Sequence, residues 1–378
     1  MTRLEYRLAA GVLRVLAALF RLLPRDPRRV VLASHRLPWL DGNLAYIYAA
    51  MQRLRPDLRY AVLAEPYAYD FRGKVAYLLR LVRAMYHLQT ARLFVVDNAY
   101  LPIHVAPHRK STTVVQVWHG VAGIKRVGLD TTRPPDEPER TFLHRHYDNV
   151  VCSSESWRPA YARAFRTPVE RVLALGAART DFFFDEGALG AAASAVRTAH
   201  PQLAGRRLVL YAPTFRGRGP DKRAAAGLDA ARLRAALPAD VVLALKTHPN
   251  LDPRATSREG FDLVFEPALE LNGILAATDI LITDYSTSVM EWALLKRPLI
   301  LFVPDLAEFE ANPGLYLDYR TEMIGSLAVT TDEVAAAINR APSVPADVDA
   351  FVALHLGACD GGASERFVRH FLGAGGPS

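Results

Sequence analysis

Cysteine is nearly absent from this 378-residue chain: Cys152 and Cys359 stand far apart, with no partners at metal-ligand spacing. That excludes a disulfide framework or a zinc site as the organising device and fits a reducing compartment. Lysine is also scarce, with six (Lys74, Lys110, Lys125, Lys222, Lys246, Lys296) among 46 basic residues, the other 40 being arginine. The formal charge of +7 reads either as the imprint of a GC-rich coding genome or as attraction to phosphates, anionic lipid or nucleic acid. Composition alone does not choose between them.

Long apolar runs are missing too, and none approaches the roughly 18 residues of a transmembrane helix. The N-terminus instead sets Leu4, Leu8, Val12, Leu16, Leu19 and Leu23 among Arg3, Arg7, Arg14 and Arg21. Arg14 and Arg21 interrupt the apolar core that a signal peptide requires, so export is not expected. Residues 1–27 read as an amphipathic helix that either lies in a membrane interface or packs on its own domain. The chain also lacks a P-loop lysine motif, a G-x-G-x-x-G fingerprint, H-E-x-x-H and G-x-S-x-G, which removes several common routes to catalysis.

What is present is an ordinary globular composition, 51% apolar and 22% charged, in a chain long enough for two domains. Near-continuous apolar runs, as expected of parallel strands buried on both faces, begin at Arg28, Tyr60, Leu93, Thr113, Val150 and Val172. A second series begins at Arg207, Val241, Leu263, Ile280, Leu299 and Leu327. Helical patterns such as Gly42 to Leu54 and Ser286 to Leu295 intervene. Two doubly wound α/β domains follow, over 28–190 and 191–345, with 346–378 as a closing helix and frayed tail. Loops are expected at Thr131 to Pro138 and at Gly217 to Asp221.

Ligands of open parallel sheets bind outside the carboxyl ends of the strands, and four polar clusters stand at such ends. Val117-Trp118-His119-Gly120 places a histidine at a strand tip, suited to general base work, with Lys125, Arg126 and Asp130 following. Pro213-Thr214-Phe215-Arg216 offers a guanidinium fork for phosphate oxygens. Lys246-Thr247-His248-Pro249 brings a cation and a second histidine, able to protonate a leaving group or donate to a bridging phosphate oxygen. Thr283-Asp284-Tyr285-Ser286-Thr287-Ser288 opens a helix with free N–H groups and hydroxyls, a phosphate cradle. Each has a plain structural reading: a satisfied strand-end histidine, a solvated arginine, N-capping by Ser or Thr. Glu291 is placed either to bind ribose hydroxyls or to sit as an exposed helix glutamate. Asp279, Asp284 and Asp305 are available to Mg²⁺ but form no recognisable ligand motif.

In this order, Gln116-Val117-Trp118-His119-Gly120, Lys125-Arg126-Val127-Gly128, Leu175-Gly176-Ala177-Ala178-Arg179-Thr180-Asp181, Tyr211-Ala212-Pro213-Thr214-Phe215-Arg216, Lys246-Thr247-His248-Pro249 and Thr283 to Ser288 resemble the CDP-glycerol glycerophosphotransferase family of teichoic acid and capsule polymer enzymes. Asp305 and Gly314 to Tyr319 continue the pattern, which spans roughly residues 30 to 345. The resemblance implies a GT-B-like fold of two Rossmann-like domains facing a central cleft, with the acceptor on the N-terminal domain and the CDP donor on the C-terminal one. It implies His119 as the base that activates the acceptor hydroxyl, and Arg216, His248, Ser286, Thr287 and Ser288 around the donor diphosphate. Beside them Lys246 and Thr283 are read as donor-diphosphate residues, His248 also as a catalytic group, and Lys125, Arg126 and Asp130 as the acceptor or phosphate side. The implied substrates are CDP-glycerol or CDP-ribitol, glycerol phosphate being the expected unit, and a prenyl-diphosphate-linked or polymeric acceptor, with CMP released. This reading fixes no cofactor and leaves Mg²⁺ dependence open. The spacing from His119 to Lys125 looks more like members that prime a lipid-linked acceptor, and the long N-terminal extension of some polymerases is lacking. Ala177-Ala178-Arg179 stands where many members have a proline before the arginine, and Thr287 replaces a common serine.

An arginine-rich peripheral protein at the anionic cytoplasmic leaflet would suit such an acceptor. The alternatives are a nucleotide-sugar glycosyltransferase on the same fold and a non-catalytic binder of anionic envelope polymer or nucleic acid. Two histidines and the hydroxyl cradle count against the binder, so nucleic acid is not expected as a partner. The sequence leaves the oligomeric state open.

Overall fold

The computed structural model describes residues 3–65, 71–131, 143–217, 223, 225, 227–247, 257–266, 269–340 and 343–373. His248, Thr132 to Pro138, residues 218–221 of the second expected loop and the last five residues lie outside them.

Among the described residues the strands form two six-stranded sheets, parallel throughout. The first comprises β1 (Arg29–Ser34), β2 (Arg59–Ala64), β3 (Leu93–Val96), β4 (Thr113–Gln116), β5 (Asn149–Val151) and β6 (Val172–Leu173), in the order β2-β1-β3-β4-β5-β6. The second comprises β7 (Arg207–Ala212), β8 (Val241–Lys246), β9 (Leu263–Phe265), β10 (Ile280–Thr283), β11 (Leu299–Phe302) and β12 (Ser326–Ala328), in the order β12-β11-β10-β7-β8-β9. Each begins at, or within a residue or so of, a run read from the sequence. Burial explains the runs: Val30 to Ala33 are fully buried, as are Val241 to Ala244. Where β-branched and aliphatic residues meet helices on both faces, alternation has no reason to appear.

The chain divides into two compact units, one of residues 1–122, 126–181 and 355–378, the other of 123–125 and 182–354. The core of the first unit joins Val30, Leu32, Val95 and Val115 to Leu44, Ile47 and Met51 of the helix Gly42–Leu54. Phe367, Val368 and Leu372 of the C-terminal helix Ala363–Leu372 belong to the same core. The C-terminal segment approaches the rest of the first unit so closely that a side chain at Gly176, whose φ is 90°, would strike the Ala358 carbonyl. Glycine is therefore required there. In the second unit the core gathers Val209, Tyr211, Leu243, Ile280, Ile282, Ile300 and Phe302 under Leu233, Val334 and Ile338.

Aspartates placed just before strands satisfy neighbouring strand starts. Asp148, Asp262 and Asp279 accept from the backbone N–H groups of Val114 (2.7 Å), Leu243 (2.8 Å) and Leu208 (2.7 Å). Each removes an orphan donor at the amino edge of its sheet. Asp279 thus stands at the opposite end of β10 from Asp284, and the three aspartates available to Mg²⁺ do not converge.

The N-terminal helix Arg3–Phe20 buries Ala10, Leu13 and Ala17 as it packs on the helix Phe71–Thr90. Arg14 donates to the Val105 carbonyl at 2.9 Å. Leu8, Val12, Val15, Leu19 and Leu22 remain more than half exposed, as do Leu78 and Leu79 on the neighbouring helix. Packing and an uncovered apolar stripe therefore coexist on one helix. No described helix is long and apolar enough to cross a membrane.

Candidate active site

In an open parallel sheet a crevice forms where the strand order reverses. That point lies between β1 and β3 in the first unit and between β7 and β10 in the second. The candidate side chains stand at or just beyond the carboxyl ends of strands in both sheets.

In the first unit His119 follows β4, and its Nδ1 lies 3.2 Å from the carbonyl oxygen of Asp97, just past β3. A carbonyl can only accept, so Nδ1 carries the proton and Nε2 keeps its lone pair. Nε2 has no hydrogen-bond partner among the described residues. Burial, reinforced by the Arg36 charge, lowers the His119 pKa to about 3, so the ring is neutral at physiological pH. Arg36, after β1, lies 3.7 Å from Asp97 and 3.8 Å from Asp41. Burial raises the Asp97 pKa, with Arg36 opposing. The Trp118 ring lies 4.3 Å from the imidazole, and Arg179 donates to the His119 carbonyl at 3.4 Å. Asp97, Arg36, Asn43 and Arg179 are the groups that sequence reasoning gave no role. Their signal, a polar residue just beyond a strand or at a helix start, becomes specific only when the strand order is known.

Of the three residues placed after His119, Lys125 belongs to the second unit. Residues 123–125 join it through the bridge from Lys125 to Leu315 and the Tyr316 N–H donated to Ile124. Arg126 is exposed, and Asp130 lies 3.6 Å from Arg163 in the first unit.

In the second unit the segments after β7 and β10 are bound to each other. The Thr214 N–H donates to Asp284 at 2.9 Å and the Thr283 hydroxyl to the Ala212 carbonyl at 2.7 Å. Arg216 meets Asp305 through Nε (2.6 Å) and a second nitrogen (3.1 Å), and Asp284 at 2.8 Å. It also donates to the Thr214 carbonyl at 2.9 Å. The guanidinium lies over Tyr285 and Phe309, whose rings stack 3.8 Å apart. Burial opposes its charge, but the two carboxylates more than compensate and raise its pKa. For Asp305 burial pushes upward and Arg216 outweighs it, leaving the carboxyl below its ordinary value. Arg216 is thus a cross-brace of the switch point, meeting Asp284 and Asp305 from two separate segments.

Around the brace stand the remaining cations and hydroxyls. Lys125 approaches the rings of Phe309 (5.6 Å) and Phe215 (6.0 Å). Burial lowers its pKa, against the pull of Asp284. Lys246 ends β8, 5% exposed, and burial lowers its pKa to about 8. Ser286 accepts from the Ser288 N–H (3.2 Å) and hydroxyl (2.8 Å) at the start of the helix Ser288–Leu295. Ser286 and Thr287 are partly exposed and Ser288 is buried. The Thr287 side chain makes no capping bond, so it does not serve the plain structural purpose. Glu291 is 2% exposed, which sets aside its reading as a solvated helix glutamate.

The sequence pattern of the family described as CDP-Glycerol:Poly(glycerophosphate) glycerophosphotransferase matches residues 15–373. A teichoic acid ribitol-phosphate primase of Bacillus spizizenii is 31% identical over 387 residues, covering 99% of this chain and 98% of the relative. A teichoic acid poly(ribitol-phosphate) polymerase of the same organism is 32% identical over 355 residues. That match covers 92% of this chain, which spans 57% of the polymerase. Among solved structures, the wall teichoic acid polymerase TagF aligns with a TM-score of 0.74 at 20% identity, over 97% of this chain and 95% of that one. With that likeness and the two parallel six-stranded sheets, the fold is GT-B-like.

Proposed function

Because this chain belongs to the CDP-glycerol:poly(glycerophosphate) glycerophosphotransferase family, we propose that it transfers ribitol phosphate from CDP-ribitol to a hydroxyl of a prenyl-diphosphate-linked acceptor. Transfer of a polyol phosphate from a CDP-activated donor is the reaction of the family. The acceptor oxygen attacks the β-phosphorus, the bond from that phosphorus to the bridging oxygen breaks, and CMP leaves with the bridging electrons. The acceptor proton passes to His119 Nε2, the lone pair that the Asp97 carbonyl keeps available, and this is the observation that carries the reading. Ser286, Thr287 and the N-terminal amides of the helix Ser288–Leu295 hold the donor phosphates. Lys246 and Lys125 neutralise charge as it moves to the leaving group. Arg216 fixes the frame on which these groups stand.

Ribitol is favoured over the glycerol expected from sequence because both relatives described above are named for ribitol phosphate. Equimolar CDP-ribitol and CDP-glycerol offered together, with the acceptor product weighed by mass spectrometry, decide the matter. Ribitol phosphate in most of the product supports the assignment, and glycerol phosphate as the dominant addition overturns it.

The exposed stripe of Leu8, Val12, Val15, Leu19 and Leu22, beside exposed Arg7, Arg25 and Arg28, supports peripheral attachment to an anionic leaflet, where a prenyl-linked acceptor resides. Replacing Leu8, Val12 and Leu19 by serine is expected to cut co-sedimentation with phosphatidylglycerol vesicles about tenfold or more. Unchanged sedimentation would remove the membrane from the account.

A further inference from the structure

Trp118 adopts a left-handed backbone conformation, with φ of 53°, that bulky residues ordinarily avoid. Its backbone is held at both ends by buried carboxamides. The Trp118 N–H donates to the Gln116 side-chain oxygen at 2.8 Å. Its carbonyl accepts from the Asn43 side-chain nitrogen at 3.0 Å, which also reaches the Val117 carbonyl at 3.3 Å.

Both N–H donors of each amide are used, and each oxygen accepts one backbone N–H. The Asn43 oxygen accepts the Arg179 N–H at 3.0 Å, and Gln116 donates to the Asn98 carbonyl (2.9 Å) and the Tyr147 hydroxyl (3.0 Å). Asn43 is 2% exposed and Gln116 fully buried. Only an amide supplies donors and an acceptor from one small planar group. A carboxylate at position 43 would keep the bond to Arg179 and turn an oxygen against two carbonyls. Glycine would suit the backbone of residue 118, yet the indole is used: it walls the imidazole and packs on Phe165 at 5.0 Å.

We propose that Asn43 and Gln116 are positioning residues that hold Trp118 left-handed so that His119 presents Nε2 to the acceptor hydroxyl. A strained residue persists where its surroundings over-determine it, and here the surroundings are two buried amides beside the base, with all their N–H donors engaged. The inference rests on the reading of His119 as that base.

The test is Asn43→Asp, assayed for CMP release under saturating CDP-polyol and acceptor, with thermal melting to confirm the fold. Turnover is expected to slow by roughly one to two orders of magnitude, the scale of a misplaced catalytic group, with the donor KM unchanged. Joined to His119→Ala, the same change is expected to cost nothing further, because residues acting through one group are not additive. Trp118→Gly, which takes the left-handed backbone without support, is the second variant and is expected to fold and to make turnover much less sensitive to Asn43→Asp. A folded Asn43→Asp protein with wild-type turnover, an undiminished Asn43→Asp loss in the Trp118→Gly background, or an Asn43→Asp/His119→Ala variant slower than His119→Ala by the full single-variant factor, would overturn the proposal. An active His119→Ala protein would instead overturn the assignment of the base.

Discussion

His119→Ala is expected to lower acceptor-dependent CMP release about 10³-fold, within the range that a positioned general base supplies, without loss of fold. Among the described residues the imidazole makes one ring hydrogen bond, to the Asp97 carbonyl, so its removal leaves that carbonyl unpaired and a small void. Donor binding, assigned to groups on the second unit, is expected to survive. The pH profile offers a further check. Burial first, and Arg36 second, depress the His119 pKa to about 3. The base-competent neutral ring therefore persists as pH falls from 8 to 5, and no His119 limb is expected there in kcat/KM. Anionic substrates favour the imidazolium, so any acid limb in kcat should lie at higher pH than its counterpart in kcat/KM. A His119→Ala protein with more than a tenth of wild-type activity would contradict the assignment.

Arg216→Ala is expected to be the most destabilising single change in the second unit. It strands Asp284, whose side chain is 3% exposed, and Asp305, which is 25% exposed. Removing one partner of a buried ion network costs about 3–5 kcal/mol, a fall in Tm of roughly 10 °C for a unit of this size. Arg232→Ala serves as the control, because Arg232 and Asp332 also form an ion pair but are 62% and 65% exposed. Pairs of that kind contribute about 0–1 kcal/mol. Arg216→Lys should fall between the two, since an ammonium cannot match the fork that meets Asp305. If Arg216→Ala melts with the wild-type protein, the guanidinium is not the brace described above.

These two residues also show where sequence reading succeeds and where it stops. The strands were legible because burial on both faces leaves uninterrupted apolar runs, and so was the place of His119 just beyond the end of one of them. Strand order was not legible, and with it went Asp97 and Arg36, which meet His119 only because β1 and β3 are neighbours of β4 or of each other. Arg216 and Thr283 were placed around the donor diphosphate from their position at strand ends and from the family resemblance, without sight of their partners in the fold. Their actual partners, Asp284, Asp305 and the Ala212 carbonyl, come from 68, 89 and 71 positions away. Saturation of a donor by distant acceptors leaves no local trace. Placement of the C-terminal helix in the core of the first unit depends likewise on long-range packing of Phe367, Val368 and Leu372. The amphipathic N-terminus was read as a choice between packing and exposure, and Leu13 and Leu8 show it doing both.

One assay bears most directly on the proposed reaction: identification of the nucleotide released when the protein meets CDP-ribitol, CDP-glycerol, UDP- and GDP-sugars and a prenyl-diphosphate-linked acceptor. The expected result is CMP, equimolar with new phosphodiester on the acceptor, absent without acceptor and lost in His119→Ala. Release of UDP or GDP from a sugar nucleotide, with no CMP from either CDP-polyol, would contradict it and make the protein a glycosyltransferase.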